Sequence, residues 1–152
     1  MSEERAKKQR RSPHQTQWAA QFAVASELCK RGYEVAFTMG NHPRVDLMVI
    51  SPHRETFLVD VKGLYKKNCW LVRKHEIPDK LFYIFAFVPD GDENQFFILT
   101  EAQANEGILL DLKKTKARQK QKGLVFDEAR YPSSIEWSFA LSHKDQWEAL
   151  PE

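Results

Sequence analysis

Asp46, Asp60 and Lys62 are the residues of this sequence whose types and spacing could act together chemically. Asp60 and Lys62 flank Val61 at the end of the apolar run Thr56 to Val61, and Asp46 lies inside a second such run, Val45 to Ile50. Side chains alternate across a strand, so Asp60 and Lys62 share one face while Val59 and Val61 take the other. Ser51-Pro52-His53-Arg54-Glu55 reads as the loop of a β-hairpin, and a register centred on His53 sets Asp46 opposite Asp60. Carboxylates placed this way have Cβ atoms about 5 Å apart and repel each other, so either one holds a proton or a cation offsets the charge. Mg2+ or Mn2+ suits such a site because each takes hard oxygen ligands, and the Val61 carbonyl can add one more. Lys62 then stands where it can orient or deprotonate an attacking water, or stabilise negative charge on a phosphate. The alternative is a solvated strand-edge ion pair of Asp60 with Lys62, with Asp46 a polar strand start. The apolar neighbours Phe57-Leu58-Val59 and Leu47-Met48-Val49-Ile50 weigh against it, since an unpaired charge among them is costly.

The elements that must position these groups follow from the pattern around them. Ser12-Pro13 offers an N-cap and a first helical residue, and a helix runs from about His14 to Arg31 before Gly32 stops it. At about 100° per residue, Gln21 falls in the middle of the apolar arc of that helix, whereas Glu27 lies between Lys30 and Arg31 on the polar side. Gln21 is thus a polar group aimed at the sheet and in need of a partner, either the metal site or a core group. Tyr33 to Thr38, Trp70 to Val72, Leu81 to Val88 and Gln95 to Leu99 read as strands, and the continuously apolar Leu81 to Val88 is expected to be covered on both faces. Thr100 and Glu101 cap a helix to about Leu110, and a last amphipathic helix is expected over about His143 to Leu150. Trp137 and Trp147 are expected to close the core. The predicted class is α/β with a mixed sheet, in one domain over 12–152 behind a flexible basic arm at 1–11.

The chain has 152 residues, 42% hydrophobic, 29% charged and 12% aromatic, which argues against disorder and fibrous repeats. No apolar run approaches the ~20 residues of a membrane span, and the basic N-terminus leads into no signal-peptide core. Cys29 and Cys69 form no CxxC or zinc pattern, so reduced thiols in a cytoplasmic protein are expected. The overall charge of +2 is unevenly spread. Residues 1–11 carry five cations against Glu3 and Glu4, and residues 113–122 carry Lys113, Lys114, Lys116, Arg118, Lys120 and Lys122 with no acid. The remaining twelve Lys and Arg face nineteen Asp and Glu, so an acidic body bears two basic segments. Clustered cations of this kind neutralise phosphates and release counterions, although solvated mobile segments look the same. The 113–122 run reads as a nucleic-acid-contacting arm or a disordered loop. Lys66, Lys67, Arg73 and Lys74, interleaved with Tyr65 and Trp70, can bind phosphates and stack on bases, or form a solvated strand edge.

Three segments in order carry a resemblance: the helix end Leu28-Cys29-Lys30-Arg31-Gly32-Tyr33-Glu34-Val35, then Asn41-His42-Pro43-Arg44-Val45-Asp46-Leu47, then Val59-Asp60-Val61-Lys62-Gly63. Together they resemble the PD-(D/E)xK nuclease superfamily, which includes restriction enzymes, archaeal Holliday-junction resolvases and many repair nucleases. The resemblance spans roughly residues 14–63, with a continuation of the sheet through Leu99. It implies a restriction-endonuclease-like mixed β-sheet flanked by helices, with Asp46 and Asp60 as metal ligands and Lys62 as the catalytic lysine. Members often carry an acid on the first helix, about eleven residues before the Gly that ends it, where this chain has Gln21. That departure implies altered metal affinity, a one-metal mechanism or lost activity. Val45 stands where Pro is usual, and no helical pattern separates Lys62 from Leu81. The expected function is metal-dependent hydrolysis of phosphodiester bonds in DNA, with a second copy of the chain needed to cut both strands together. A catalytically weak or inactive nucleic-acid-binding module on the same fold is the alternative, and a protein-interaction domain is a third.

Overall fold

The hairpin forms where the alternation of apolar residues puts it. In the computed structural model, which describes residues 10–73 and 80–152, β1 (Glu34–Phe37), β2 (Leu47–Ile50) and β3 (Thr56–Leu64) form an antiparallel meander. Leu47 faces Val59 and Ile50 faces Thr56, the register expected from a loop centred on His53. β5 (Leu81–Phe87) then pairs parallel to β3, and β6 (Gln95–Thr100) antiparallel to β5, giving a five-stranded mixed sheet in the order β1-β2-β3-β5-β6. β3 is its central strand, so Asp60 and Lys62 do not stand at a sheet edge.

The N-terminal helix α1 (Pro13–Lys30) starts at Ser12, whose hydroxyl accepts the Gln15 N–H while the Gln15 side chain accepts the Ser12 N–H. Its Ala20, Val24 and Leu28 pack on one face of the sheet against Val49, Phe57, Val59, Val61 and Ile84. Gly63 sets how closely α1 lies on β3. A Cβ there would sit 2.7 Å from the Ala20 Cβ and 3.0 Å from the Thr16 carbonyl oxygen, closer than real side chains come. The opposite face is covered by α2 (Glu101–Gln121), α3 (Trp137–Ala140) and a two-stranded sheet of β4 (Trp70–Leu71) with β7 (Ser134–Ile135). Trp70 anchors this layer, stacked on Phe85 at 5.0 Å and on Trp137 at 5.3 Å between ring centroids. The protein is thus a mixed α/β domain with its central sheet flanked by helices, and β5 is buried along nearly its whole length, as its continuous apolar run requires.

Several elements differ from expectation. Residues 113–122 are not a disordered loop: all but the capping Lys122 belong to α2, which runs to Gln121. Lys, Arg, Gln and Ala are strong helix formers, so the helix continues after its apolar period has ended at Asp111, until Gly123 takes a φ of +69°. The helix expected over His143 to Leu150 is a pair of 3-10 turns, Leu141–His143 and Trp147–Ala149. Pairing with the sheet edge prevails there: Lys144 bridges to Phe97, the Asp145 N–H donates to the Phe96 carbonyl, and Asp145 takes a φ of +55°. Trp147 and Leu150 then bury in the α1 layer, where the Tyr33 hydroxyl donates to the Pro151 carbonyl at 2.9 Å. Of the expected basic arm, residues 1–9 lie outside the described residues. Arg10 bonds the Tyr65 hydroxyl at 3.1 Å, and Arg11 holds Asp90 at 2.6 Å. Among the described residues no helix separates β3 from β5, and none is long and apolar enough to cross a membrane.

Candidate active site

Asp46 sits one residue before β2, where the ladder to β3 gives way to side-chain bonding. Its backbone N–H donates to the Val59 carbonyl at 3.0 Å, and its Oδ2 accepts the Val61 N–H at 2.8 Å. Thr38 braces the same segment, donating its hydroxyl to the Val45 carbonyl at 2.6 Å and its N–H to the Asp46 carbonyl at 3.0 Å. The Asp46 carboxylate is thereby turned onto β3, beside Asp60.

Asp60 is 2% exposed, next to Tyr83 of β5 in the parallel register. Lys62, one pleat along, puts its Nζ 3.1 Å from Asp60 Oδ1 while its side chain stays about one-third exposed. Burial pushes the Asp60 carboxyl up to about 6; the Lys62 ammonium works against that rise, and the neighbouring Asp46 charge adds to it. The Asp46 carboxyl is also raised, again chiefly by burial, against the opposing pull of the Val61 N–H and Lys62. Tyr83 is pushed up to about 12 by its burial and then by the negative charge at Asp60. Among the described residues the two acids meet with a single ammonium, that of Lys62, beside them, so the pair carries more negative charge than these partners offset.

The α1 layer reaches the same point through two glutamines. Gln21 is 8% exposed and donates from Nε2 to Asp46 Oδ1 at 3.3 Å, which supplies the partner its place in the apolar arc required. Gln17, one turn earlier, donates to the Val61 carbonyl at 2.7 Å and accepts the Gly63 N–H at 3.2 Å. Sequence reading did not single out Gln17, although its i,i+4 spacing to Gln21 was the available signal. Glu27 pairs instead with Lys30 and Arg31, away from the site.

The residues present fit a divalent cation. Among the described residues no three His, Cys, Asp or Glu side chains converge, so Asp46 and Asp60 are the charged ligands on offer. Two carboxylates are the number that Mg2+ commonly takes from a protein, the rest of its shell being water. The Val61 carbonyl keeps one lone pair beyond the one Gln17 uses.

Asp46, Asp60 and Lys62 lie in a cleft of about 1160 Å³ whose walls also bear Arg44, Arg73, Arg130 and Tyr131. Arg44 and Arg130 were not signalled in the sequence: Arg130 comes from a segment brought over only by the β4–β7 pairing. Lys66 and Lys67 lie outside this cleft, Lys66 in a separate hollow with Tyr65, Arg10 and Arg11. Lys74 lies outside the described residues. The basic run of α2 is not gathered on one side: Lys114 pairs with Glu136 at 2.8 Å, Lys116 with Glu128 at 3.7 Å, and Lys113 flanks Leu109 and Leu110 elsewhere. Alternate residues of a helix point in different directions, so Lys113 to Lys122 encircle α2. His42 and His53 sit on exposed loops. The chain matches no family model, no curated protein and no solved structure.

Proposed function

We infer that the chain is a metal-dependent phosphodiesterase that hydrolyses DNA, built on a restriction-endonuclease-like sheet. The observation that carries this reading is the meeting of two carboxylates, half-buried Asp46 and buried Asp60, with Lys62 3.1 Å from Asp60, in a cleft bearing Arg44, Arg73 and Arg130. A paired charge excess at the floor and cations on the walls is the electrostatic pattern that a phosphodiester and a divalent ion require together. Mg2+ or Mn2+ bound by Asp46, Asp60 and the Val61 carbonyl would supply Lewis acidity toward the phosphate and a more acidic attacking water.

The other roles belong to the chain itself. Lys62 supplies a positive charge to the phosphate oxygens as negative charge builds there, and its partial exposure lets it move from Asp60 toward the substrate. Arg44, Arg73 and Arg130 hold flanking phosphates and fix the strand across the floor. Gln17 and Gln21 hold Val61 and Asp46 in place from the helix side.

The test is cleavage of plasmid, single-stranded and branched DNA with Mg2+ or Mn2+. The wild type should cut and Asp60→Ala should not; equal cutting by both refutes the assignment. A second reading, binding of nucleic acid without turnover, is favoured by two observations: Gln21 stands where an acid is usual, and Gln17 already engages the Val61 carbonyl. It predicts salt-dependent binding and no product with either metal.

A further inference from the structure

A second cavity, of about 680 Å³, opens beside the carboxylate cleft, and Tyr131 and Pro132 form a rib that lines both. The acids in this cavity already have partners from within the fold. Asp111, 7% exposed, accepts the hydroxyls of Tyr131 and of Ser134, the latter at 2.8 Å. Glu136 takes Lys114 at 2.8 Å and the Ser138 hydroxyl at 3.3 Å, and these partners hold its carboxyl below its ordinary value. The cations are different. Lys67 rests its ammonium over the Trp137 ring at 5.4 Å, Arg118 bonds the Thr115 hydroxyl at 3.4 Å, and neither forms an ion pair with a described residue. The Arg118 charge also reaches Glu136, but with Glu136 already paired to Lys114, the two cations outnumber the one remaining acid, Asp111, and leave the cavity attractive to an anion.

We propose that this second cavity seats a flanking nucleotide of the strand held in the cleft, with Lys67 and Arg118 on its phosphate, and that the strand is unpaired where it crosses the Tyr131–Pro132 rib. The proposal rests on the cleft being a nucleic-acid site. Passing over a rib between two concavities calls for the backbone freedom of a single strand, which a stiff duplex lacks. Lys67 and Arg118, distant in sequence, thus act on one phosphate, whereas Lys114 and Lys116 of the same run are paired with Glu136 and Glu128.

The experiment is fluorescence anisotropy with end-labelled oligodeoxynucleotides of about 4 and about 12 nucleotides, in Ca2+, at several salt concentrations. Lys67→Ala/Arg118→Ala should weaken binding of the longer strand about tenfold and lower its salt slope by about 0.7, one phosphate contact, while leaving the shorter strand unchanged. Arg44→Ala/Arg73→Ala should weaken both lengths. Longer-strand binding that survives Lys67→Ala/Arg118→Ala overturns the proposal while the cleft reading stands, as does an equal loss on both lengths. A blunt duplex bound as tightly as the single strand, with the same dependence on Lys67 and Arg118, overturns the unpaired strand. Thymidine monophosphate that displaces the longer strand only from proteins retaining Lys67 and Arg118 shows a free-nucleotide site and also overturns it. Failure of the wild type to bind either length refutes the cleft reading itself. Both side chains are exposed, so an unchanged melting temperature checks the fold of the variant.

Discussion

Replacing Asp60 by Asn should stabilise the metal-free protein at neutral pH while abolishing its response to divalent ions. Burial pushes the Asp60 carboxyl up to about 6 in the folded protein, against 3.8 for the free side chain, which corresponds to about 3 kcal/mol. Its folded-state value is the raised one, so the native protein binds the proton more tightly than the unfolded chain does. The resulting stability is fully present below about 4 and is lost as the pH rises through about 6. Above that, the ionised carboxylate lies buried beside Asp46 with Lys62 as its one close cation among the described residues. Asn keeps the shape without the charge, so Asp60→Asn should exceed the wild type by about 1–3 kcal/mol in urea unfolding at pH 8, and the gap should close toward pH 4.5. Adding Mg2+ at pH 8 should raise the wild-type midpoint and leave that of Asp60→Asn in place, because a ligand stabilises only what it binds. A variant less stable than the wild type at both pH values, or one that responds equally to Mg2+, would show that the carboxylate pair is not held under charge stress and that the reasoning about the cation fails.

The other predictions test the parts around this pair. Lys62→Ala should reduce DNA cleavage by about 10²–10³-fold with divalent binding retained, and should shift the acid limb of the pH–rate profile upward, since the Lys62 charge holds the Asp60 carboxyl down. Gln21→Glu should tighten divalent binding in calorimetry by adding a third carboxylate, and should lower metal-free stability at pH 8 by like-charge repulsion with Asp46, to which Gln21 now donates. Gly63→Ala should cost about 1–3 kcal/mol by calorimetric unfolding and weaken divalent binding, because a Cβ 2.7 Å from that of Ala20 forces α1, with Gln17 and Gln21, away from β3. Tyr131→Phe should cost about 1–3 kcal/mol by leaving buried Asp111 short of a donor.

The floor of the site was readable in the sequence because its geometry is local. A five-residue loop and strict apolar alternation fix the register that sets Leu47 against Val59, so the meeting of Asp46 with Asp60 followed from counting along one hairpin. Gln21 was legible for a similar reason, as a polar residue inside an apolar helical arc that must find a partner. Of the walls of the cleft, Arg73 was legible in the basic and aromatic stretch after the hairpin, but the rest was not. Arg130 and Tyr131 arrive through the pairing of two-residue strands β4 and β7, which are too short to leave a period in the sequence. The length of α2 was missed because a basic helix beyond the body has no apolar stripe to mark it; propensity alone carries it to Gln121. At the C-terminal end the apolar spacing suggested a helix, but the open N–H and C=O groups of β6 compete for the same backbone, and the Lys144 bridge and the Asp145 bond to Phe96 settle that competition.

Residues 144–151 tie together parts of the chain that lie far apart in sequence, running along β6 and then closing over Tyr33 and Arg31, whose guanidinium stacks on Trp147 at 4.4 Å. Chains leave the ribosome N-terminus first, so the hairpin with its two acids emerges long before this clasp can close over α1. The charged floor is therefore synthesised before the clasp that completes the core around it.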